Sequence, residues 1–413
     1  MTQYSIDARG DARPALTSLR LFGALLVFIT HAAYLAPFAN AQLAHDFTFI
    51  GINGGHFGVS LFFVLSGFVL TWSTGAGYRL RDFYRRRFLR ILPNHLVTFL
   101  PALGVTLLIG ATIGLGPLLV NYLFLLQGWV TDQTFGAPSP NPVTWTLGVE
   151  ILFYALFPLF FLLVRRIRRD RVWHWWVATG LLVLATTVVI GAILPSGPPS
   201  PLFPSGTWAQ HKALLFFPIT RLPDFFIGML TARLVQEKRF PKIKVGWAAA
   251  IAIAVYAFTT AFLPPYYGFS GVFAFPAALL VGGAATRDRS RPGFLESRPA
   301  LWLGETTYAF YLVHLPLLSL GLFVAAKVLP GGAKMGVVPG ILFMLVMMGV
   351  ALVVARLLYI TVERPAMRRW GRSRRTARPQ PITGGGADTT PGTTSDTTPD
   401  AGDDPGRPGR AAA

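Results

Sequence analysis

Ten apolar stretches recur along the chain, at about 16–37, 55–75, 92–114, 143–164, 173–195, 213–235, 246–264, 268–286, 301–325 and 338–362. Each is close to the roughly 20 residues that a helix needs to cross the hydrocarbon layer of a bilayer. The pattern predicts an all-α, polytopic membrane protein. A further apolar stretch at 117–130 is ambiguous by hydropathy alone.

The charge of the connections decides that stretch. Lysine and arginine crowd the segments 79–90, 165–171, 233–244, 287–298 and 364–378, whereas 38–54, 114–142, 196–211 and 265–270 contain neither. The connection 326–337 has only Lys327 and Lys334. Basic loops face the cytoplasm. A crossing at 117–130 would turn every later basic loop outward, so this segment is expected to be re-entrant or interfacial. Ten transmembrane helices remain, in a multi-pass protein of the plasma membrane with both termini in the cytoplasm.

Composition agrees with that picture. Of 413 residues, 53% are hydrophobic and 13% charged, about half the charged fraction of a soluble domain, and the mean hydropathy is +0.50. The net charge of +19 sits in the basic loops and reads as topology, not as a nucleic-acid footprint. The chain has no cysteine, which excludes disulfides, thiolate catalysis and iron–sulfur ligation. Residues 1–15 do not read as a secretory leader; they are expected to be a cytoplasmic segment, with the first apolar stretch kept as a span. One membrane domain is expected over 16–366. From 371 to 413 the chain is rich in Pro, Gly, Thr and Asp, a composition that cannot bury a core, and a disordered cytoplasmic tail is expected.

Ionisable side chains are costly in hydrocarbon, so those inside spans carry the functional signal. His31 lies deep in the first stretch, and Arg20 stands eleven positions before it. Eleven residues are about three turns, which puts both groups on one face, roughly 16 Å apart along the axis. Read alone, His31 is equally a packing histidine bonded to a neighbouring helix. Glu150, with Trp145 and Tyr154 nearby, sits about a third of the way into its span; it forms either a structural ion pair or a catalytic carboxylate. Arg85, Arg86, Arg87 and Arg90 are more cations than a topology signal requires. They mark the cytoplasmic side, or they hold a phosphate-rich ligand through bidentate guanidinium contacts. Arg221 and Asp224, three apart with Pro223 between them, favour a structural pair. His314 lies mid-span on a face shared with Tyr311, and Tyr308 is nearby. Ser60 and Ser66 are short polar residues on an otherwise apolar helix, able to face a cavity. No His-x-x-x-His, P-loop, dinucleotide fingerprint or nucleophile elbow occurs, so no metal site and no bound cofactor are expected.

Taken in order, the segments Arg20-x10-His31, FGVSLFFVLSGFVL, Arg87-x-x-Arg90-Ile-x-Pro93, WTLGVEILFYALFP, RLPDFFIGML, LGETTYAFYLVHLPL and VERP resemble the acyltransferase 3 family of integral-membrane O-acyltransferases. Members acylate polysaccharide sugars, nodulation factors and macrolide antibiotics. The resemblance covers nearly all of 16–366. Where members commonly carry Trp-Ser-Leu-Ser-Val-Glu-Glu-Gln-Phe-Tyr, this chain has Thr146, Gly148, Ile151 and Leu152 at polar places, while Glu150 and Tyr154 are kept. Ile151 replaces the second glutamate, and Thr307 replaces a common serine.

The resemblance implies acyl transfer, acetyl in the first instance, from acyl-CoA as co-substrate to a hydroxyl of a glycan or glycosylated small molecule. Under it His31 is expected to act as general base in a direct transfer, an acyl-histidine intermediate being the variant, with Glu150 orienting His31 and Arg20 holding the donor or stabilising developing negative charge. Arg86, Arg87 and Arg90 would hold the CoA phosphates, and Trp145, Tyr154, Tyr311 and His314 would contact the substrates. A transporter or channel for a polar or anionic substrate is the competing reading, since it too places Arg, Glu and His in broken helices.

Overall fold

The computed structural model describes residues 13–75, 77–129, 140–194, 197–198, 206–264, 266–269, 271–287 and 293–370. Most of the expected N-terminal segment and the expected tail from 371 onward lie outside the described residues. Within them the chain is all-α, its sole bridge joining Phe38 to Met335. Ten helices have thirteen residues or more: α1 (Pro14–Leu35), α2 (Ala41–Ser73), α3 (Leu80–Leu108), α4 (Trp145–Arg166), α5 (Val172–Ile193), α6 (Leu222–Gln236), α7 (Val245–Phe262), α8 (Ala274–Thr286), α9 (Thr307–Val328) and α10 (Val337–Leu358).

Eight described helices are long and apolar enough to cross a membrane, or nine if Trp208–Phe216 and Pro218–Gln236, bent by 51°, form one broken span. By length the expected ten is therefore not reached. The remaining apolar segment forms a shorter helix, Gly271–Thr286, because part of the expected span at 268–286 is spent on the short helix Tyr266–Phe269. The ambiguous stretch beginning at 117 forms no helix of crossing length: a single turn, Leu115–Pro117, runs into a π turn, Leu118–Leu123.

Local chemistry sets the helix ends. Pro14 opens α1, where its missing N–H costs nothing. Ala36 closes it in the left-handed region, φ 43°, with its N–H on the Ala33 carbonyl. The Asn40 side chain then caps α2 by accepting from Leu43 N at 2.8 Å. The connection between these helices is pinned to the loop before α10: Met335 N donates to Pro37 O, Ala39 N donates to Met335 O (both 2.7 Å), and Lys334 Nζ donates to Ala36 O (2.6 Å).

Helix α2 is the axis of the bundle, packed along α1 on one side and α6 on another. Lipid cannot drive helices together by a hydrophobic effect, so close backbone approach does it. On the α1 side, Thr30 Oγ1 donates to Gly51 O and accepts from Gly55 N, both at 2.6 Å. On the α6 side, a side-chain carbon at Gly67 would overlap the Phe225 carbonyl, and one at Gly228 would overlap the Val64 carbonyl. Beside this seam Arg221 Nη2 lies 2.6 Å from Asp224 Oδ2, both side chains 1% exposed. The guanidinium also donates to Ser60 Oγ and to Phe269 O at 2.9 Å. The structural reading of this pair holds.

One proline inside a helix is answered by a side chain. Pro316 of α9 cannot donate to the Leu312 carbonyl, and Asn141 Nδ2 supplies that hydrogen bond at 2.7 Å. This ties α9 to the start of α4, where the site lies.

Gly228→Val is expected to cost about 1–3 kcal/mol by forcing α6 off α2, read as a lower melting temperature of detergent-purified protein. Gly349→Ala on α10, which meets open space, serves as the unaffected control. Asp224→Leu, which strands a buried guanidinium, is expected to cost about 3–5 kcal/mol. The double change Arg221→Met/Asp224→Leu should restore a monodisperse, folded preparation; equal loss in both would argue against a paired charge as the cause.

Candidate active site

Five of the long helices bring polar side chains into one cavity of about 120 Å³, with Glu305 added from the short helix Arg298–Glu305. Arg20 enters from α1, Ser66 from α2, Arg87 and Arg90 from α3, Thr146, Glu150 and Tyr154 from α4, and Tyr308 and Tyr311 from α9. The spacings explain the faces: Thr146, Glu150 and Tyr154 stand four apart, and Arg87 and Arg90 three apart. Arg86, one residue off that register, is not among the lining residues.

Glu150 Oε1 accepts from Tyr154 Oη at 2.5 Å and from Ser66 Oγ at 3.4 Å. Arg20, Arg87 and Arg90 all lie within electrostatic reach of it. The Arg87 guanidinium rests over the rings of Phe83 and Tyr154, 5.6 and 5.9 Å from their centroids, and its Nε is buried without a hydrogen-bond partner. Arg90 faces Glu363, whose Oε2 accepts from Asn94 Nδ2 at 2.9 Å. Tyr308 Oη donates to Ile91 O at 3.0 Å, holding α9 to the arginine helix. Of the charged lining residues, three are guanidiniums (Arg20, Arg87, Arg90) and two are carboxylates (Glu150, Glu305). The cavity is therefore suited to an anionic group, which guanidinium forks bind well.

His31 is not on that wall. It lies beyond it, half-buried on α1, and meets the buried His314 of α9: His314 Nε2 is 3.2 Å from His31 Nδ1. Each ring also folds back onto its own helix. His31 Nδ1 is 2.8 Å from Val27 O, and His314 Nδ1 is 2.7 Å from Tyr311 O and 3.3 Å from Phe310 O. A carbonyl oxygen only accepts, so the nitrogen facing it carries the hydrogen. The network therefore assigns hydrogen to Nδ1 of both rings. His314 Nε2 is left as an acceptor for His31 Nδ1–H, and His31 Nε2, which makes no hydrogen bond among the described residues, keeps its lone pair. That is the form of imidazole that takes up a proton.

Between the two centres stand Tyr311 and Phe62. Both line the cavity, their ring centroids 5.9 Å apart, and the Tyr311 ring centroid is 5.8 Å from that of His314. Tyr311 is fixed there by donating to Val143 O at 3.1 Å and accepting from Thr146 Oγ1 at 3.0 Å.

The sequence-derived candidates are thus brought together in part. Arg20, Glu150, Arg87, Arg90, Tyr154 and Tyr311 share the cavity. His31 and His314 form a separate pair one side chain away. The expectation that Glu150 orients His31 is corrected: Glu150 is held by Tyr154 and Ser66, and the group that meets His31 is His314. Arg86 is off the cavity wall, and Trp145 packs edge-on against Phe63 and Phe216 in the core, 6.3 and 4.9 Å between centroids. Asn94 and Asn141 escaped the sequence reading because neither forms a motif. Glu363, in the VERP segment, is buried beside Arg90.

Comparison with known proteins completes the picture. The profile of an acyltransferase domain matches residues 13–360. The chain is 35% identical over 382 residues to acyltransferase MdmB of Streptomyces mycarofaciens, covering 90% of this chain and 96% of that protein. It is 28% identical to the peptidoglycan O-acetyltransferase OatA of Listeria monocytogenes, over 68% of this chain but 47% of that protein. It is also 28% identical to nodulation protein 10 of Rhizobium leguminosarum, over 72% and 80%. No solved structure matches the chain significantly. The protein is a multi-pass membrane acyltransferase, and it belongs to the acyltransferase 3 family.

Proposed function

We propose that the protein transfers an acetyl or similar acyl group from acyl-CoA to a hydroxyl of a carbohydrate or glycosylated metabolite, with His31 as general base. The observation that carries the reading is the free Nε2 of His31, one side chain beyond a cavity that gathers Arg20, Arg87 and Arg90. Arg87 and Arg90 stand at the cytoplasmic end by the charge of the loop before them and receive the CoA phosphates. The pantetheine arm then runs along α1 from the level of Arg20 toward His31, a distance of about 16 Å at 1.5 Å per residue.

The steps balance without a further reactant. His31 Nε2 takes the proton of the acceptor hydroxyl as its oxygen attacks the thioester carbonyl. The C–S bond breaks, and the same nitrogen returns the proton to the departing thiolate, giving ester and free CoA thiol. Arg20 and its neighbours stabilise the negative charge of the donor. Tyr311 and Phe62 line the cavity, and the Tyr311 ring centroid is 5.8 Å from that of His314, so the thioester has to pass these rings to reach His31. The relatives named for O-acetylation are consistent with a hydroxyl acceptor.

Release of CoA from acetyl-CoA by detergent-purified protein, over a panel of polysaccharide and glycosylated-metabolite acceptors, tests this. His31→Ala should abolish acceptor-dependent release; wild-type turnover in that variant removes His31 from the mechanism. Arg87→Ala and Arg90→Ala should each raise KM for acetyl-CoA by about tenfold or more, on the scale of a lost charge-assisted contact of 1.5–3 kcal/mol. Arg86→Ala should change it far less. Equal effects at all three positions would mean that the cavity does not select the phosphate ligands.

A further inference from the structure

The buried His314 has no place in the transfer steps above, yet its one outward nitrogen is spent on His31. Building on the reading of His31 as the base, we infer that His314 is a positioning residue: through Nε2 it accepts the His31 Nδ1–H, aims the His31 ring, and stabilises the imidazolium that forms during transfer.

Val27 O alone favours hydrogen on His31 Nδ1, but a carbonyl one turn back on the same helix leaves the ring free to rock about that contact. An acceptor from a second helix removes that freedom, and the two rings meet at 59° with centroids 5.1 Å apart. His314 can only accept there, because its Nδ1 is committed to Tyr311 O and Phe310 O. Its plane is held in turn by the Phe310 ring, stacked at 14° and 5.7 Å, and by Phe28, 6.3 Å away.

The acceptor is also neutral. A carboxylate in this place would bury an anion that needs its own compensation. An imidazole acceptor orients the base while both rings are uncharged, and begins to stabilise charge when His31 becomes cationic. Residues that orient an active group through its far nitrogen usually matter by 10–100-fold, as second-layer partners of metal-bound histidines do.

The test compares His314→Ala, His314→Leu and His314→Gln with wild type and His31→Ala. The readout is CoA release from acetyl-CoA with the acceptor that gives the highest wild-type rate. Leucine keeps volume without an acceptor, which covers the case in which the alanine variant does not fold. Glutamine places an amide oxygen where Nε2 was. The expected result is a kcat lowered by about 10–100-fold in Ala and Leu, with KM for acetyl-CoA unchanged, and a kcat recovered to within a few-fold of wild type in Gln. Wild-type kcat in the Leu variant overturns the inference. So does a loss in which Gln fares no better than Leu, or in which KM rises while kcat holds, since packing alone would explain those. If His31→Ala stays active, the base assignment itself fails, a result separate from any failure at position 314.

Discussion

A guanidinium or carboxylate inside a bilayer must find its partners within the protein, since no water is there to solvate it. That constraint organises this molecule. Arg221 on the approach to α6 meets Asp224, Ser60 and the Phe269 carbonyl through its two terminal nitrogens, which fixes α6 and the segment before α8 against α2. Glu150 is satisfied by Tyr154 and Ser66, and Glu363 by Asn94 beside Arg90. Each such contact joins different helices or rigidifies one, so the polar groups that cost most to bury are also those that assemble the bundle.

The arrangement separates two tasks. Cations collect on one side of a wall formed by Phe62 and Tyr311, and the imidazole pair lies on the other. The guanidinium cluster and the imidazole pair thus occupy different electrostatic surroundings. Tyr311 belongs to both sides, bonded to Val143 and Thr146 of the α4 end and one turn from His314. A shift of α9 would be felt at the cavity and at the histidines together.

Much of this was legible along the chain. Each long helix overlaps one apolar stretch, although α2 begins at Ala41 and α3 at Leu80, inside segments read as connections, and loop charge argued that the stretch from 117 should not cross. Intramembrane Arg20, His31, Glu150 and His314 stood out because polar groups in hydrocarbon are rare and expensive. The count of crossing-length helices was less secure, because a hydropathy window does not see that 268–286 is divided between a short helix and α8. Arg86 and Trp145 were chosen by proximity in sequence; helical register turned the first off the cavity, and aromatic packing took the second into the core.

The sequence by itself determined which groups had to be accommodated and on which helix face each stands, since helical geometry and burial cost are local properties. It could not determine which of them would meet. The contact between His31 and His314 spans 283 residues of chain, and the alternative pairing of His31 with Glu150 was equally compatible with composition and spacing. Close crossings at Gly67 and Gly228, the loop clasp at Met335 and the proline repaired by Asn141 set how far each helix slides and turns against its neighbours. Those few ångströms of register, a property of packing and not of any one segment, decided that one histidine would answer the other.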